Sequence, residues 1–149
     1  MSLKVIRPGM LTTIQDAGRF GYRQAGVIVS GPMDALALRE ANLLVGNPEQ
    51  LAGLEITLSG PTIQFEADHL IALTGADLSP TLNGQPMPLR RPVAVIRGCE
   101  LAFGAARTGC RTYLAVAGGL AVPEVLGSRA TYLRAGIGDC TAAPYKPKT

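Results

Sequence analysis

Aromatic residues make up only 5% of this chain, histidine occurs once, and no apolar run approaches the length of a membrane span. Each shortage removes a class of function. Too few aromatics are present to build a stacking platform for single-stranded nucleic acid, and the basic residues are scattered rather than gathered along a phosphate-tracking stripe. The net charge of +3 does not restore that reading, because Lys146 and Lys148 lie in the last four residues. No nucleic-acid partner is expected. A spanning helix needs about 20 consecutive apolar residues, and Met1-Ser2-Leu3-Lys4-Val5 lacks the apolar stretch of a secretory leader. No membrane association and a cytoplasmic location are expected.

Lysine is equally scarce: Lys4, Lys146 and Lys148 are the only three, so from Val5 to Tyr145 every basic residue except His69 is an arginine. A buried catalytic lysine is not expected, and any anion held by a side-chain cation is held by arginine, whose planar fork offers bidentate donors. Cys99, Cys110 and Cys140 are widely spaced, with no C-x-x-C pair and only His69 as a nitrogen ligand. That donor set predicts no metal site. Reduced thiols are expected, with Cys99 and Cys110 as small apolar residues on neighbouring strands. His69 opens an apolar run without a serine elbow or an H-E-x-x-H partner, and reads as a structural or surface histidine. Neither a G-x-x-x-x-G-K-[ST] loop nor a G-x-G-x-x-G fingerprint occurs, which excludes a standard nucleotide site of either kind.

What is present suits one compact unit. With 149 residues, 47% hydrophobic and 17% charged, the chain can bury roughly 70% of its unfolded surface. Leu3 to Arg7 reads as a strand ahead of Pro8-Gly9. Leu54, Ile56 and Leu58 alternate with Glu55 and Thr57, the pattern of a half-buried strand with Glu55 and Thr57 on the other face. Ile63 and Phe65, His69 to Thr74, Val93 to Ile96, Leu101 to Phe103 and Thr112 to Ala117 continue at spacings typical of an all-β barrel or sandwich. Asn83-Gly84 predicts a type I′ hairpin turn, and Pro86 and Pro88 confine that hairpin to a sheet edge. One helix is expected over 32–45, with Pro32 at its first position, Ser30 or Gly31 as cap, Asp34 in its first turn and Gly46 ending it. Met33, Ala37, Ala41 and Leu44 form its narrow apolar stripe.

Two polar runs stand apart from this pattern. Thr12-Thr13-Ile14-Gln15-Asp16-Ala17-Gly18-Arg19 and Ser30-Gly31-Pro32-Met33-Asp34 crowd an amide, two carboxylates and a guanidinium around glycines and a proline, which suits a site on bent backbone. Gln15 is equipped to donate to and accept from a substrate amide, Arg19 to hold a carboxylate or phosphate, and Asp16 to move protons or orient Arg19. A purely structural account is also open. Asp16 forms an Asx turn to Gly18 with Arg19 paired to it at the surface, and Asp34 serves only the helix dipole. Asn42 and Asn47 read as cap or packing amides, and Glu55 as a residue on a solvated face. Arg111 and Tyr113 alternate on one strand and therefore share a face, as a binding wall requires. Gly118-Gly119 and Gly127-Ser128-Arg129 are loops able to bring backbone amides to an anion.

The motifs TTIQDAGRFG, GVIVSGPMDALALREANLLVGN, LEITLSGP, IALTGADL, LNGQP, RTYLAVAGG and VLGSR follow one another between about Val5 and Asp139. Together they resemble the allophanate hydrolase subunit 2 family, which also goes by KipA, by biotin-dependent carboxyltransferase-like and by the C-type subunit of 5-oxoprolinase. The resemblance implies a mainly β fold, a cyclophilin-like β-barrel over 1–139 with one main helix near 32–45, and the first of two such barrels in family members. It implies one subunit of an ATP-dependent 5-oxoprolinase, which opens 5-oxoproline to glutamate beside a KipI-like partner and a third, LamB/YcsF-like partner. Two alternatives belong to the same resemblance: the carboxyltransferase component of a biotin-dependent urea carboxylase, and a non-enzymatic antagonist that binds a KipI-like kinase inhibitor. On the leading reading Asp16 and Asp34 are catalytic, while Gln15, Arg19, Asn42, Glu55, Arg111 and Tyr113 bind a small lactam or amide. ATP serves the complex, with no site identified in this chain, and biotin enters only with the carboxyltransferase alternative. After Gly138 the sequence departs from the family pattern. Residues 140–149 are expected to be a disordered Pro/Lys tail, and the chain, as the amino-terminal half of a longer subunit, is expected to be inactive alone.

Overall fold

β-Branched and large aliphatic residues at alternate positions build two antiparallel five-stranded sheets, seen in a computed structural model that describes residues 3–122 and 124–132. The first sheet has the order β1 (Leu3–Arg7), β4 (Thr62–Phe65), β9 (Glu100–Ala102), β6 (Thr81–Leu82) and β7 (Gln85–Pro86). The second has the order β2 (Leu11–Gln15), β3 (Gly53–Thr57), β10 (Thr108–Val116), β5 (His69–Asp77) and β8 (Val93–Val95). Ile63, Phe65 and Leu101 of the first sheet meet Ile14, Leu54, Ile56, Leu73, Leu114 and Val116 of the second in one buried cluster. Each such side chain contributes about 1.5–3 kcal/mol by leaving water, so this interior is what holds the sheets together. The fold is mainly β with a single α-helix among the described residues, as expected from the sequence. The tail at 140–149 and Cys140 lie outside those residues.

The helix α1 (Ala35–Leu44) lies on the other side of the second sheet, against β10 and β5. Small residues admit it: Ala41 and Val45 pack on Ala72 and Ala115. A Cβ at Gly53 would stand 2.8 Å from Leu38 Cδ1 and 2.7 Å from the Leu114 carbonyl oxygen, closer than real side chains approach. The cap differs from expectation. Asp34, not Ser30 or Gly31, is the N-cap, its side chain accepting from the Ala37 N–H at 3.0 Å. Pro32 and Met33 therefore precede the helix. The buried face is Ala37, Leu38, Ala41 and Asn42, and Met33 is 71% exposed. Gly46, at φ +78°, ends the helix as anticipated.

Three further corrections concern strands. Leu11–Gln15 is a regular strand rather than part of a bent polar loop, because Thr12, Thr13 and Ile14 are β-branched and pair in register with β3. Strand β3 is buried on both faces, so Glu55 and Thr57 are not solvated. Cys99 precedes a strand of the first sheet while Cys110 sits exposed on β10 of the second, so they are not small apolar residues on neighbouring strands. The hairpin is as read: Asn83 and Gly84 take φ +48° and +81°, and β7, which carries Pro86, is the edge strand. No described helix is long and apolar enough to cross a membrane.

Candidate functional site

The registers of β2, β3 and β10 place the polar residues of interest in rows. Arg111 pairs with Thr57 and Tyr113 with Glu55 across β10 and β3, while Thr13 pairs with Glu55 and Gln15 with Gly53 across β2 and β3. Because side chains alternate along a strand, Gln15, Thr13, Glu55, Thr57, Arg111 and Tyr113 all project from the helix-bearing face. Into this face the segment 30–34 presents its backbone. The Gly31 N–H donates to Gln15 Oε1 at 3.1 Å, the Met33 N–H to Glu55 Oε2 at 2.8 Å, and the Asp34 N–H to the Tyr113 hydroxyl oxygen at 2.9 Å. Pro32 between them has no N–H to place. Three side chains thus take up every main-chain donor from Gly31 to Asp34 and set where α1 begins.

Tyr113 links the rows, since its hydroxyl also donates to Glu55 Oε2 at 2.8 Å. Burial, reinforced by that hydrogen bond to a carboxylate, pushes its phenol well above the ordinary range, against a smaller opposing effect of the Asp34 N–H. Tyr113 therefore remains a donor at neutral pH. The other half of the block is incomplete. Arg111 Nε stands 3.9 Å from Glu55 Oε1, too far for a hydrogen bond. Arg111 Nε and Thr57 Oγ1 are both buried without a hydrogen-bond partner among the described residues. Thr57 was not singled out by sequence reasoning, although its place two residues from Glu55 already put it on the same face.

Asp16 and Arg19 form a second cluster, joined to the chain's last described segment rather than to each other. Asp16 Oδ1 accepts from the Gly18 N–H at 3.0 Å, the expected Asx turn, and from the Ser128 hydroxyl at 2.6 Å, while Oδ2 accepts from the Arg129 N–H at 2.7 Å. The amide of the Gly127-Ser128-Arg129 loop thus serves an anion that belongs to the chain itself. Arg19 is not at the surface paired with Asp16. It is 1% exposed, with Nε donating to the Val125 carbonyl and Nη2 to those of Ser128 and Ala130. Its Nη1 is buried without a partner among the described residues.

Asn42 belongs to neither cluster. Its Nδ2 donates to the carbonyls of Glu49 and Leu51, and its Oδ1 accepts from Asn47 Nδ2, which also reaches the Val116 carbonyl. Asn47 Oδ1 accepts from the Gly118 N–H. This is the packing role, fastening the far end of α1 to the loop after it. Of the expected site residues, the structure brings Gln15, Asp34, Glu55, Arg111 and Tyr113 together, gathers Asp16 and Arg19 beside the 125–130 loop, and sets Asn42 apart. Among the described residues no group of three His, Cys, Asp or Glu side chains is arranged to hold a metal.

Comparison with known proteins bears on these clusters. The chain is 47% identical over 136 residues to the C subunit of 5-oxoprolinase from Escherichia coli, covering 91% of this chain and 44% of that protein. It is 45% identical over 138 residues to the urea amidolyase of Lachancea kluyveri, covering 92% of this chain and 8% of the other. Among solved structures, that of TTHA0988 superposes with a TM-score of 0.88 at 38% identity, covering 93% of this chain and 52% of the other. The chain spans less than half the length of these two curated relatives. A model of the carboxyltransferase domain, subdomain A and B, matches residues 25–149. That match takes in α1, β3 and β10 and so most of the polar block, and the chain belongs to the carboxyltransferase domain, subdomain A and B, family.

Proposed function

We propose that this chain is part of one subunit of a cytoplasmic, ATP-dependent 5-oxoprolinase complex that opens 5-oxoproline to glutamate beside a KipI-like partner and a LamB/YcsF-like partner. The identity to the C subunit of 5-oxoprolinase supports it, and a protein named as a subunit implies partners. The observation that carries the site is the pair of buried atoms Arg111 Nε and Thr57 Oγ1, without hydrogen-bond partners among the described residues, beside Glu55 on one sheet face. On this reading Glu55, Thr57 and Arg111 contact the lactam, and the arginine's charge stabilises negative charge developing on its carbonyl oxygen. Gln15, Glu55 and Tyr113 hold the backbone of the 31–34 segment, Asp34 caps α1, Asp16 and Arg19 hold the 125–130 loop, and Asn42 anchors α1. The catalytic role expected of Asp16 and Asp34 gives way to this one, because their carboxylates already serve backbone donors.

On the same reading the nucleotide binds elsewhere in the complex. Arg129 N–H, in the glycine loop best suited to a phosphate, already faces Asp16. A second reading, the carboxyltransferase component of a biotin-dependent urea carboxylase, draws support from the family match and the urea amidolyase relative. Reconstitution with both partner subunits separates the two. Glutamate formed with 5-oxoproline-dependent ATP hydrolysis supports the first, and carboxyl transfer from carboxybiotin to urea without 5-oxoproline turnover replaces it with the second. Capture of a KipI-like protein with neither activity would instead support the non-enzymatic antagonist.

A further inference from the structure

The outer face of α1 departs from the pattern of a surface helix. Its inner face, Ala37, Leu38, Ala41 and Asn42, is taken up by the sheet, so the opposite positions ought to be polar. Instead Leu36, 72% exposed, is the most exposed large hydrophobic side chain among the described residues, and Leu43 is 57% exposed. Seven residues make almost two helical turns, which sets the two leucines on one line along the helix. With Leu44, Arg39 and Glu40 they line an open groove of about 460 Å³. Arg39 and Glu40 are successive residues, about 100° apart around the axis, and so flank that line on opposite sides. Each has an ion-pair partner: Arg39 Nη2 lies 2.9 Å from Glu49 Oε2, and Glu40 Oε1 lies 3.7 Å from Arg90 Nε.

The face is an apolar seam with a cation along one edge and an anion along the other, and such a seam complements a rotated copy of itself. In two parallel helices related by a two-fold axis along their length, each edge meets the opposite edge of the other copy. Arg39 then faces Glu40 of the second copy on one side, Glu40 faces its Arg39 on the other, and the leucines meet like to like at 36 and 43. Antiparallel helices would bring each edge against its own kind, arginine to arginine and glutamate to glutamate. We propose that this face docks a second copy of the same chain through a parallel, two-fold pair of α1 helices. A helix of ten residues is only about 15 Å long, so the contact falls short of the roughly 800 Å² per partner typical of a stable interface. The association is therefore reversible. It uses no residue of the face that carries Glu55 and Arg111, and it stands or falls apart from the proposed function.

Sedimentation equilibrium of the reduced chain tests this. The weight-average mass should climb from 15.5 kDa towards twice that value between about 0.05 and 1 mM, the range suited to so small an interface. Leu36→Glu and Leu43→Glu should each weaken association by roughly tenfold or more, since a carboxylate would be buried in the seam. Their thermal midpoints should hold, because both side chains face water in the single chain. Arg39→Glu and Glu40→Arg each turn two attractions into two repulsions and should weaken self-association by roughly tenfold. An equal mixture of those two variants should recover the affinity of wild type, because every glutamate then meets an arginine. Added salt should narrow the gap between the single variants and wild type. A mass fixed at that of the monomer would leave the face to some other protein and overturn the inference, as would association that ignores Leu36→Glu. Unchanged single-charge variants whose mixture binds more tightly than wild type would indicate antiparallel helices and overturn the parallel pair.

Discussion

The two ends of α1 both bury polar side chains against the second sheet, and they finish the task to different degrees. At the carboxy-terminal end, Asn42 and Asn47 place every side-chain donor and acceptor, on each other and on the backbone of Glu49, Leu51, Val116 and Gly118. At the amino-terminal end, Gln15, Glu55 and Tyr113 satisfy the backbone of 31–34, but Thr57 Oγ1 and Arg111 Nε have no hydrogen-bond partner among the described residues. A completed network fastens the chain to itself. An incomplete one, in a face otherwise so fully bonded, has capacity for something else. Polar burial alone would not have told the two apart.

Substitution should expose that difference in the sign of its effects. Asn47→Leu keeps most of the volume but strands the Gly118 N–H and Asn42 Oδ1 and leaves the Val116 carbonyl to the Gly119 N–H. A cost of about 3–5 kcal/mol is expected, read as a fall of roughly 10 °C in the unfolding midpoint by circular dichroism. Gly53→Ala forces a methyl against Leu38 and the Leu114 carbonyl and should cost about 1–3 kcal/mol by overpacking. Denaturant titration checks it, and an unchanged midpoint would mean that α1 sits less tightly on the sheet than described.

Tyr113→Phe removes the donor to Glu55 and the acceptor for Asp34 N–H, and about 1–3 kcal/mol should be lost at neutral pH. Its phenol is raised in the folded state, so folding holds that proton more tightly than the unfolded chain does. The stabilisation is complete below about pH 10, the unfolded value, and declines as pH climbs through the folded one. Wild type should therefore lose stability above about pH 10 more steeply than Tyr113→Phe in parallel urea titrations. Thr57→Val has the smallest expected effect on stability, within about 0.5 kcal/mol and upward, opposite in sign to Asn47→Leu. Clear destabilisation would show that the hydroxyl already has a structural partner.

Where one face of a strand meets the core and the turn chemistry is explicit, the sequence was a sufficient guide. Asn83-Gly84 and a strand through Leu54 and Ile56 lie where the pattern put them, although that strand is buried on both faces rather than one. It misled where the decisive neighbour is distant in the chain. Leu11–Gln15 was hidden because its polar residues face a buried network rather than water, and Arg19 is placed by carbonyls more than a hundred residues away. The helix start shifted because both Ser30 and Asp34 are good capping residues, and Glu55 and Tyr113 favour the later one by binding the backbone between them. For the site, the shared face of Arg111 and Tyr113 was legible from period-two spacing. Which donors and acceptors remain unfilled was not, since that depends on strand register.

The three bonds that hold residues 31–34 all end on main-chain N–H groups, and Met33, in the middle of the segment, turns its side chain outward. Any residue at 33 other than proline brings the same donor. That position is therefore free to drift in identity, and to acquire new contacts with a neighbouring surface, without loosening the frame behind it. Proline at 32 shields the arrangement further, since it offers no extra donor that a slipped register might use. The segment joins a fixed anchor to an adaptable face, so specificity for a neighbour can change there while the chemistry behind it is inherited intact.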